Sequence, residues 1–374
     1  MHLIFSRFKK DLLTLCKKLQ TIEVSYIMNQ KGAFSMRVRE ADLIKTKDNV
    51  IFDVKGLVHP PNKVIAFPRF IPSLEGSRGH RKDLYGKVYS FTERFKFLEQ
   101  KAPNLIVHDP VFDEILCEVP IDTIKKHYKP IEKLRRLRSS KMLGDLERKA
   151  VQLAEALKEA ANIHWSSMGI SGSLLVGLHT LKSDIDPVVY GVENCPKAYA
   201  ALQNLLKDDD SHFKPYSRDD LRTLFDFRSK DTIMGFEDFA QVESRKAFQG
   251  KFRETDYFIR FVKDWSQTDE QYGDVCYKNC GYAKITGTVA DDSEALLTPC
   301  TYRIENAQVV EDSRLQSILE IVSFRGRFCA QAKKGEAIIA QGKVERVTDK
   351  RKERKYYRII LGNKPSDYMA LSRV

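Results

Sequence analysis

Gly169-Ile170-Ser171-Gly172-Ser173-Leu174-Leu175-Val176-Gly177-Leu178-His179-Thr180-Leu181-Lys182-Ser183-Asp184-Ile185-Asp186-Pro187-Val188-Val189-Tyr190 decides the reading of this chain. The run predicts a strand, a glycine turn, a short helix and a second strand. Gly172 lets the backbone approach a bulky ligand. Ser173 falls at the start of the short helix, where free N–H groups and the helix dipole attract phosphate. Its hydroxyl can donate to a phosphate oxygen. A Gly-Ser pair before a helix is also simply a good cap. Asp184 and Asp186 add a second signal, because residues i and i+2 of a strand share a face about 7 Å apart along the chain. Two carboxylates converging at about 4 Å repel by roughly 4 kcal/mol at an effective dielectric near 20. A divalent cation turns that repulsion into coordination, and Mg²⁺ typically takes one or two carboxylates plus substrate phosphates. An isolated Asp-x-Asp is commonly a surface turn. Here Gly172-Ser173 stands just upstream and an apolar strand follows.

Outward from this run, Lys141–Ala161 is the clearest helical pattern. Leu146, Ala150, Leu153, Ala154, Leu157 and Ala161 share one face; Arg148, Glu155 and Glu159 lie opposite. Residues 36–140 read as a mixed α and β domain. Strands are expected at Asn49–Lys55, Lys63–Phe67 and Asn104–His108, and a helix at Thr92–Gln100. Ser73–Asp83 reads as a loop. Ile121–Arg138 reads as one helix or two, with Pro130 as the break. From about Val275, short strand-like runs separated by Gly, Asp and Asn predict a small antiparallel sheet or barrel. Residues 1–35 read as an extension with a short amphipathic helix through Phe8, Leu12, Leu15 and Leu19; Met28 and Met36 are alternative starts.

The 374 residues suit two or three domains, and 42% apolar content suits ordinary buried cores. The net charge of +12 points to polyanionic partners. Fourteen Lys/Arg against five Asp/Glu lie between Arg325 and Arg373, a surplus of nine. Arg325 and Arg327 would share a face if their segment is extended. Lys350, Arg351 and Lys352, with Tyr356 nearby, mix charge and aromatics as single-strand nucleic-acid surfaces do; a solvated hairpin is the plainer alternative. Seven scattered cysteines fit a reducing compartment. Cys276 and Cys280 lack a second pair at zinc-site spacing, and the histidines lack ligand spacing. No apolar run approaches a membrane span, and the N-terminus lacks a signal-peptide core. The expectation is a cytoplasmic protein away from membranes.

The Gly172-Ser173 and Asp184-Ile185-Asp186 run resembles the signature of the DNA polymerase beta nucleotidyltransferase superfamily. It looks most like an archaeal group of predicted nucleotidyltransferases. The resemblance extends through Asp42–Thr46, Phe52–Pro60, Asp256–Phe261 and Ser323–Phe328, and fails over the first 35 residues. It implies an α+β protein: a polymerase-beta-like core of mixed sheet and helices over 141–274, flanked by an N-terminal α/β domain (36–140) and a C-terminal antiparallel β domain (275–374). It also implies transfer of an NMP from an NTP to an acceptor hydroxyl, with one or two Mg²⁺. The acceptor suggested by the basic C-terminus is RNA or another nucleic acid. The pattern asks for a third carboxylate on a neighbouring strand. Asp256, opening a strand over Thr255–Val262, is the candidate; Asp264 and Asp274 are alternatives. Lys182 and Arg260 would neutralise pyrophosphate. Pro187 departs from the pattern, since proline is unusual inside a sheet. It leaves open a nucleotide- or nucleic-acid-binding protein of the same fold with an impaired site. A protein or small-alcohol acceptor, or an antitoxin-like partner, are further alternatives.

Overall fold

A computed structural model describes residues 26–28, 34–80, 83–229, 233–310 and 318–372. The helix expected through Phe8 and Leu19 lies outside them. Met1–Val38 and Arg39–Val374 form two compact units. In the first, Tyr26–Met28 pairs antiparallel with Phe34–Met36. The second is a mixed α+β body. Among the described residues, no helix is long and apolar enough to cross a membrane.

Residues 43–128 build an eight-stranded sheet. Its central members are Leu43–Thr46, Ile51–Val54 and Lys63–Pro72, paired antiparallel in that order. Ile124–Tyr128 is a strand and not helical, because it supplies the antiparallel partner for the outer edge of Leu43–Thr46. Pro130 does not break a helix; it starts one, Pro130–Ser139, at the position where its missing N–H costs nothing. Within the expected loop at Ser73–Asp83, Arg78–His80 pairs with Asp83–Lys87. Ser90 and Glu93 form a reciprocal capping box that starts the helix Phe91–Lys101.

The helix Asp145–Ala161 buries the apolar stripe read from its sequence and ends at Asn162 in a left-handed conformation. Its stripe packs on Met168, Ile170, Ile185, Val189 and Phe261. These belong to a three-stranded sheet and its flank: Met168–Ile170 runs antiparallel to Pro187–Tyr190, which runs parallel to Arg260–Val262. A second small sheet, Phe213–Lys214, Gln249–Phe252 and Thr255–Phe258, is antiparallel. The expected single strand Thr255–Val262 is therefore two strands. The Ile259 N–H donates to the Phe248 carbonyl at 2.7 Å, which diverts the chain between the sheets.

The C-terminal strands are Val275–Glu294, Cys300–Val309, Ile318–Ser323, Ala337–Asp349, Arg354–Leu361 and Tyr368–Leu371. The first five close on themselves in the circuit first, second, third, fifth, fourth, first. The domain is not wholly antiparallel as expected, because the third and fifth strands run parallel. The chain crosses from the third strand to the fourth before the fifth returns beside the third. Tyr368–Leu371, absent from the sequence reading, extends the sheet at the fourth strand. The barrel interior (Ile285, Tyr302, Ile338, Val344, Ile359) is continuous with the core under the Asp145–Ala161 helix.

Lys246 locks the central part to the barrel. Its buried ammonium donates to Glu243 Oε1 at 2.6 Å, the Arg327 carbonyl at 2.6 Å and Gln331 Oε1 at 2.8 Å. All three of its protons are used. Lys246→Met should lower unfolding free energy by about 3 kcal/mol in urea titration, since it strands buried acceptors and takes a cation from Glu243. A loss under about 1 kcal/mol would contradict this assignment.

Candidate active site

At the end of Met168–Ile170 the backbone turns sharply. The Ser171 N–H donates to the Asp186 carbonyl at 2.8 Å, and Ser171 Oγ donates to the Ala41 carbonyl at 2.7 Å. Gly172 has φ +61°, and a Cβ there would overlap the Asp186 carboxylate, with Asp186 Cγ only 2.6 Å away. Glycine is thus required twice, by conformation and by space. Ser173 follows in the first turn of the short helix Gly172–Val176 and is 1% exposed. Its hydroxyl has no hydrogen-bond partner among the described residues. Such a buried polar group normally has one.

The N-terminal sheet holds this turn in place. Leu175 and Leu178 pack against Leu43, Ile51, Phe70 and Tyr85. Arg78 reaches across from its hairpin and donates to the Leu178 carbonyl at 2.8 Å and to Ser183 Oγ at 3.3 Å. The loop carrying Lys182 is pinned at both ends.

The carboxylates come next. Ile185 is fully buried and bridges Tyr257 in parallel: its N–H donates to the Asp256 carbonyl at 2.9 Å, and the Phe258 N–H donates to its carbonyl at 3.0 Å. This bridge sets Asp184 opposite Asp256 and Asp186 opposite Phe258. Asp184 and Asp186 are half-buried and Asp256 is exposed. Burial first, then the charge of Asp184, pushes the Asp186 carboxyl up to about 7, against the pull of Lys87, Arg260 and Arg69. Though its surface is open to the cleft, Asp256 is raised first by partial loss of water around its carboxyl, with Asp220 and Asp184 adding to the shift; Lys251 and a hydrogen bond from Tyr216 oppose it. Asp184 therefore acts electrostatically on both other carboxylates. Among the described residues, no group of three or more His, Cys, Asp or Glu side chains forms a ready-made metal cage. Pro187 is the first residue of its strand, a position where proline is tolerated.

Asp184 and Asp256 line a cleft of about 1760 Å³ bounded by the N-terminal sheet and the barrel. Lys182, Arg260, Arg325, Arg327, Arg351, Lys352 and Tyr356 line it too. Their settings differ. Lys182 is exposed. Arg260 pairs with buried Glu40 at 3.1 Å and lies 3.9 Å from Asp53, while Lys55 contacts both carboxylates at 2.9 Å. Although burial opposes it, Lys55 and then Arg260 hold Asp53 well below the usual carboxylate range. Arg325 and Arg327 do not share a strand face: Gly326–Phe328 is a tight helical turn, begun where the Phe328 N–H reaches the Arg325 carbonyl. Lys350, Arg351 and Lys352 occupy the exposed hairpin between the fourth and fifth barrel strands. Lys350 donates to the Gly273 carbonyl at 2.9 Å and Arg351 pairs with Asp269 at 2.7 Å. The Tyr356 hydroxyl donates to Glu320 at 2.9 Å. Of the alternative third carboxylates, Asp264 pairs with Arg39 at 3.1 Å and Asp274 caps the turn at Gln271.

Sequence reasoning missed the partners contributed by residues 40–94: Glu40, Asp53, Lys55, Arg69, Lys87 and Arg94. They are spread over strands whose pairing no local pattern displays. The alternation Asp53-x-Lys55 put both on one strand face, but nothing in it named Arg260 as their partner.

The chain is an α+β protein in which Asp184, Asp256 and several cations line one large cleft. No family model matches the chain, and no solved structure matches it. An uncharacterized protein of Methanocaldococcus jannaschii is 34% identical over 336 residues, covering 87% of this chain and 96% of the relative. The chain belongs to the same family as that archaeal protein.

The raised Asp186 carboxyl has a consequence for stability. A carboxyl whose folded pKa lies above its unfolded value favours folding at low pH and loses that contribution as pH rises through the folded value. In EDTA, the melting temperature of the wild type should fall more between pH 4 and about 7 than that of Asp186→Asn. Parallel profiles for the two proteins would show that Asp186 is not the strained group.

Proposed function

We propose that the protein is a Mg²⁺-dependent nucleotidyltransferase that moves an NMP from an NTP to an acceptor hydroxyl, with pyrophosphate as the second product. The observation that carries this reading is the seating of the Asp186 carboxylate against Gly172, beside the unpartnered Ser173 hydroxyl. Such a turn offers a phosphate donor and a carboxylate within one side chain's reach of each other. Asp184 and Asp186 would hold the Mg²⁺, with Asp256 as the third carboxylate. When bound, the ion neutralises phosphate oxygens and acidifies the acceptor hydroxyl.

The chain's own groups do the rest. Ser173 Oγ donates to a phosphate oxygen of the NTP. Asp256, exposed on the cleft and raised in pKa, accepts the proton of the acceptor hydroxyl as its oxygen bonds to the α-phosphorus. The bond from that phosphorus to the bridging oxygen breaks, and pyrophosphate leaves with the electron pair. Lys182 balances charge on the departing group. Arg260, tied to Glu40, acts at longer range on Asp186.

The acceptor is proposed to be RNA or another single-stranded nucleic acid. The barrel supports this. Its circuit, with only the third and fifth strands parallel, is the strand order of the oligonucleotide- and oligosaccharide-binding barrel, a class that binds strands on its second and third strands. Thr301 and Arg303 of the second strand and Glu320 and Val322 of the third line the cleft that holds Asp184. The likeness is one of fold, and the site residues carry the chemistry.

The test is transfer of label from each α-³²P-NTP to total RNA, to protein and to the enzyme itself, comparing wild type with Asp184→Ala/Asp186→Ala. Label on RNA with wild type alone, falling at least about 100-fold in the variant, is expected. Equal labelling by the two proteins, or none with wild type, refutes the transferase reading.

A further inference from the structure

Four cations converge on the cleft around the start of the helix Phe91–Lys101. Arg69 and Lys87, from neighbouring strands of the N-terminal sheet, lie over the Tyr89 ring at 4.9 and 4.7 Å. The Arg325 guanidinium reaches the Phe91 ring at 6.0 Å from the barrel side. Arg94 projects from the helix itself, and all four line the cavity.

Lys55 and Arg260 meet Glu40 and Asp53 at ion-pair distance, whereas Asp53 acts on Arg94 and Arg69 at longer range. Arg69 donates to the neutral Val88 carbonyl at 3.3 Å, and Arg325 to the Gly362 carbonyl at 3.4 Å. Arg94 is only 8% exposed, and its Nε has no hydrogen-bond partner among the described residues. Burial and then the charge of Arg69 push its pKa down to about 10, with Arg325 and Arg260 adding repulsion and Asp53 opposing it. A buried guanidinium donor facing other guanidinium groups is costly unless an anion completes the set. The backbone is also shaped for it. Gly362 has φ +100°, and a Cβ there would stand 2.5 Å from Arg325 Cδ, so glycine makes room for the arginine. Planar guanidinium groups with an ammonium suit a phosphoryl group, whose oxygens accept paired hydrogen bonds.

We propose that Arg69, Lys87, Arg94 and Arg325 form a phosphoryl-binding site in the cleft that receives a phosphate of the entering ligand. The phosphoryl group can come from the polyphosphate of a nucleotide or from the terminal phosphate of a nucleic-acid strand. The site is defined without metal and without turnover, so it stands or falls apart from the transferase reading.

The test is calorimetric binding of inorganic tripolyphosphate to the full chain in EDTA. Wild type should bind it, and Arg94→Met should weaken binding at least tenfold, with Arg94→Lys recovering part of the loss. Asp184→Asn/Asp186→Asn should bind at least as tightly as wild type. Arg69→Gln/Arg325→Gln, which leaves the buried position untouched, should also lose at least tenfold and decides the matter if Arg94→Met fails to fold. Wild-type affinity in that double variant, or no binding by wild type, overturns the proposal. Displacement of the probe by ATP assigns the site to the nucleotide. Displacement by a 5′-phosphorylated oligonucleotide but not by its 5′-hydroxyl form assigns it to a strand end. Displacement by neither overturns the site's place in the ligand path.

Discussion

The Asp186 carboxylate lies where a side chain on residue 172 would otherwise be, and much of the central architecture serves to keep it there. The contact needs a left-handed residue without a Cβ, directly before a helix. It needs Asp186 at the head of a strand, held by the Ser171 N–H on its carbonyl. It needs Ile185 zipped to Tyr257, so that the two flanking carboxylates stay on one side. Behind the turn, the N-terminal sheet packs on Leu175 and Leu178, and Arg78 ties down the loop. Removing any one of these supports frees the carboxylate to swing toward water and lower its own charge cost.

Electrostatics arranges the cleft into unequal zones. Around Glu40, opposite charges are matched closely, and Arg260 spends its hydrogen-bonding there. Around Asp184, like charges are brought together, and burial first, then that charge, raises Asp186 to about 7. Around Arg94, positive charges are brought together instead. Neither of the last two zones is an economical way to stabilise a fold. Crowded charge of one sign is the common signature of a site meant for a ligand of the other sign. Here a cation would answer one zone and a phosphoryl group the other.

The local parts of this arrangement were legible in the sequence. The strand, glycine turn, short helix and second strand around Ser173 follow from residue order alone, as does the buried face of Asp145–Ala161. Parts that depend on which strands become neighbours were not. Ile124–Tyr128 looks helical until Leu43–Thr46 needs an edge partner. Thr255–Val262 looks like one strand until Phe248 captures the Ile259 N–H. The barrel's parallel pair depends on a crossover whose direction no alternation of apolar residues encodes. Arg325 and Arg327 would share a face in an extended segment, yet the tight turn at Gly326 separates them. The cationic cluster was invisible for a related reason: Arg69, Lys87, Arg94 and Arg325 come from two ends of the chain.

On the proposed reading, the carboxylates beside Gly172 form a divalent-cation site completed by nucleotide. Mn²⁺ binding, followed by electron paramagnetic resonance with and without a non-hydrolysable NTP analogue, tests it most directly. Wild type should take up one or two ions, more tightly with the nucleotide present, and Asp184→Asn/Asp186→Asn should lose that uptake. Nucleotide-independent binding of equal strength in both proteins would contradict the account.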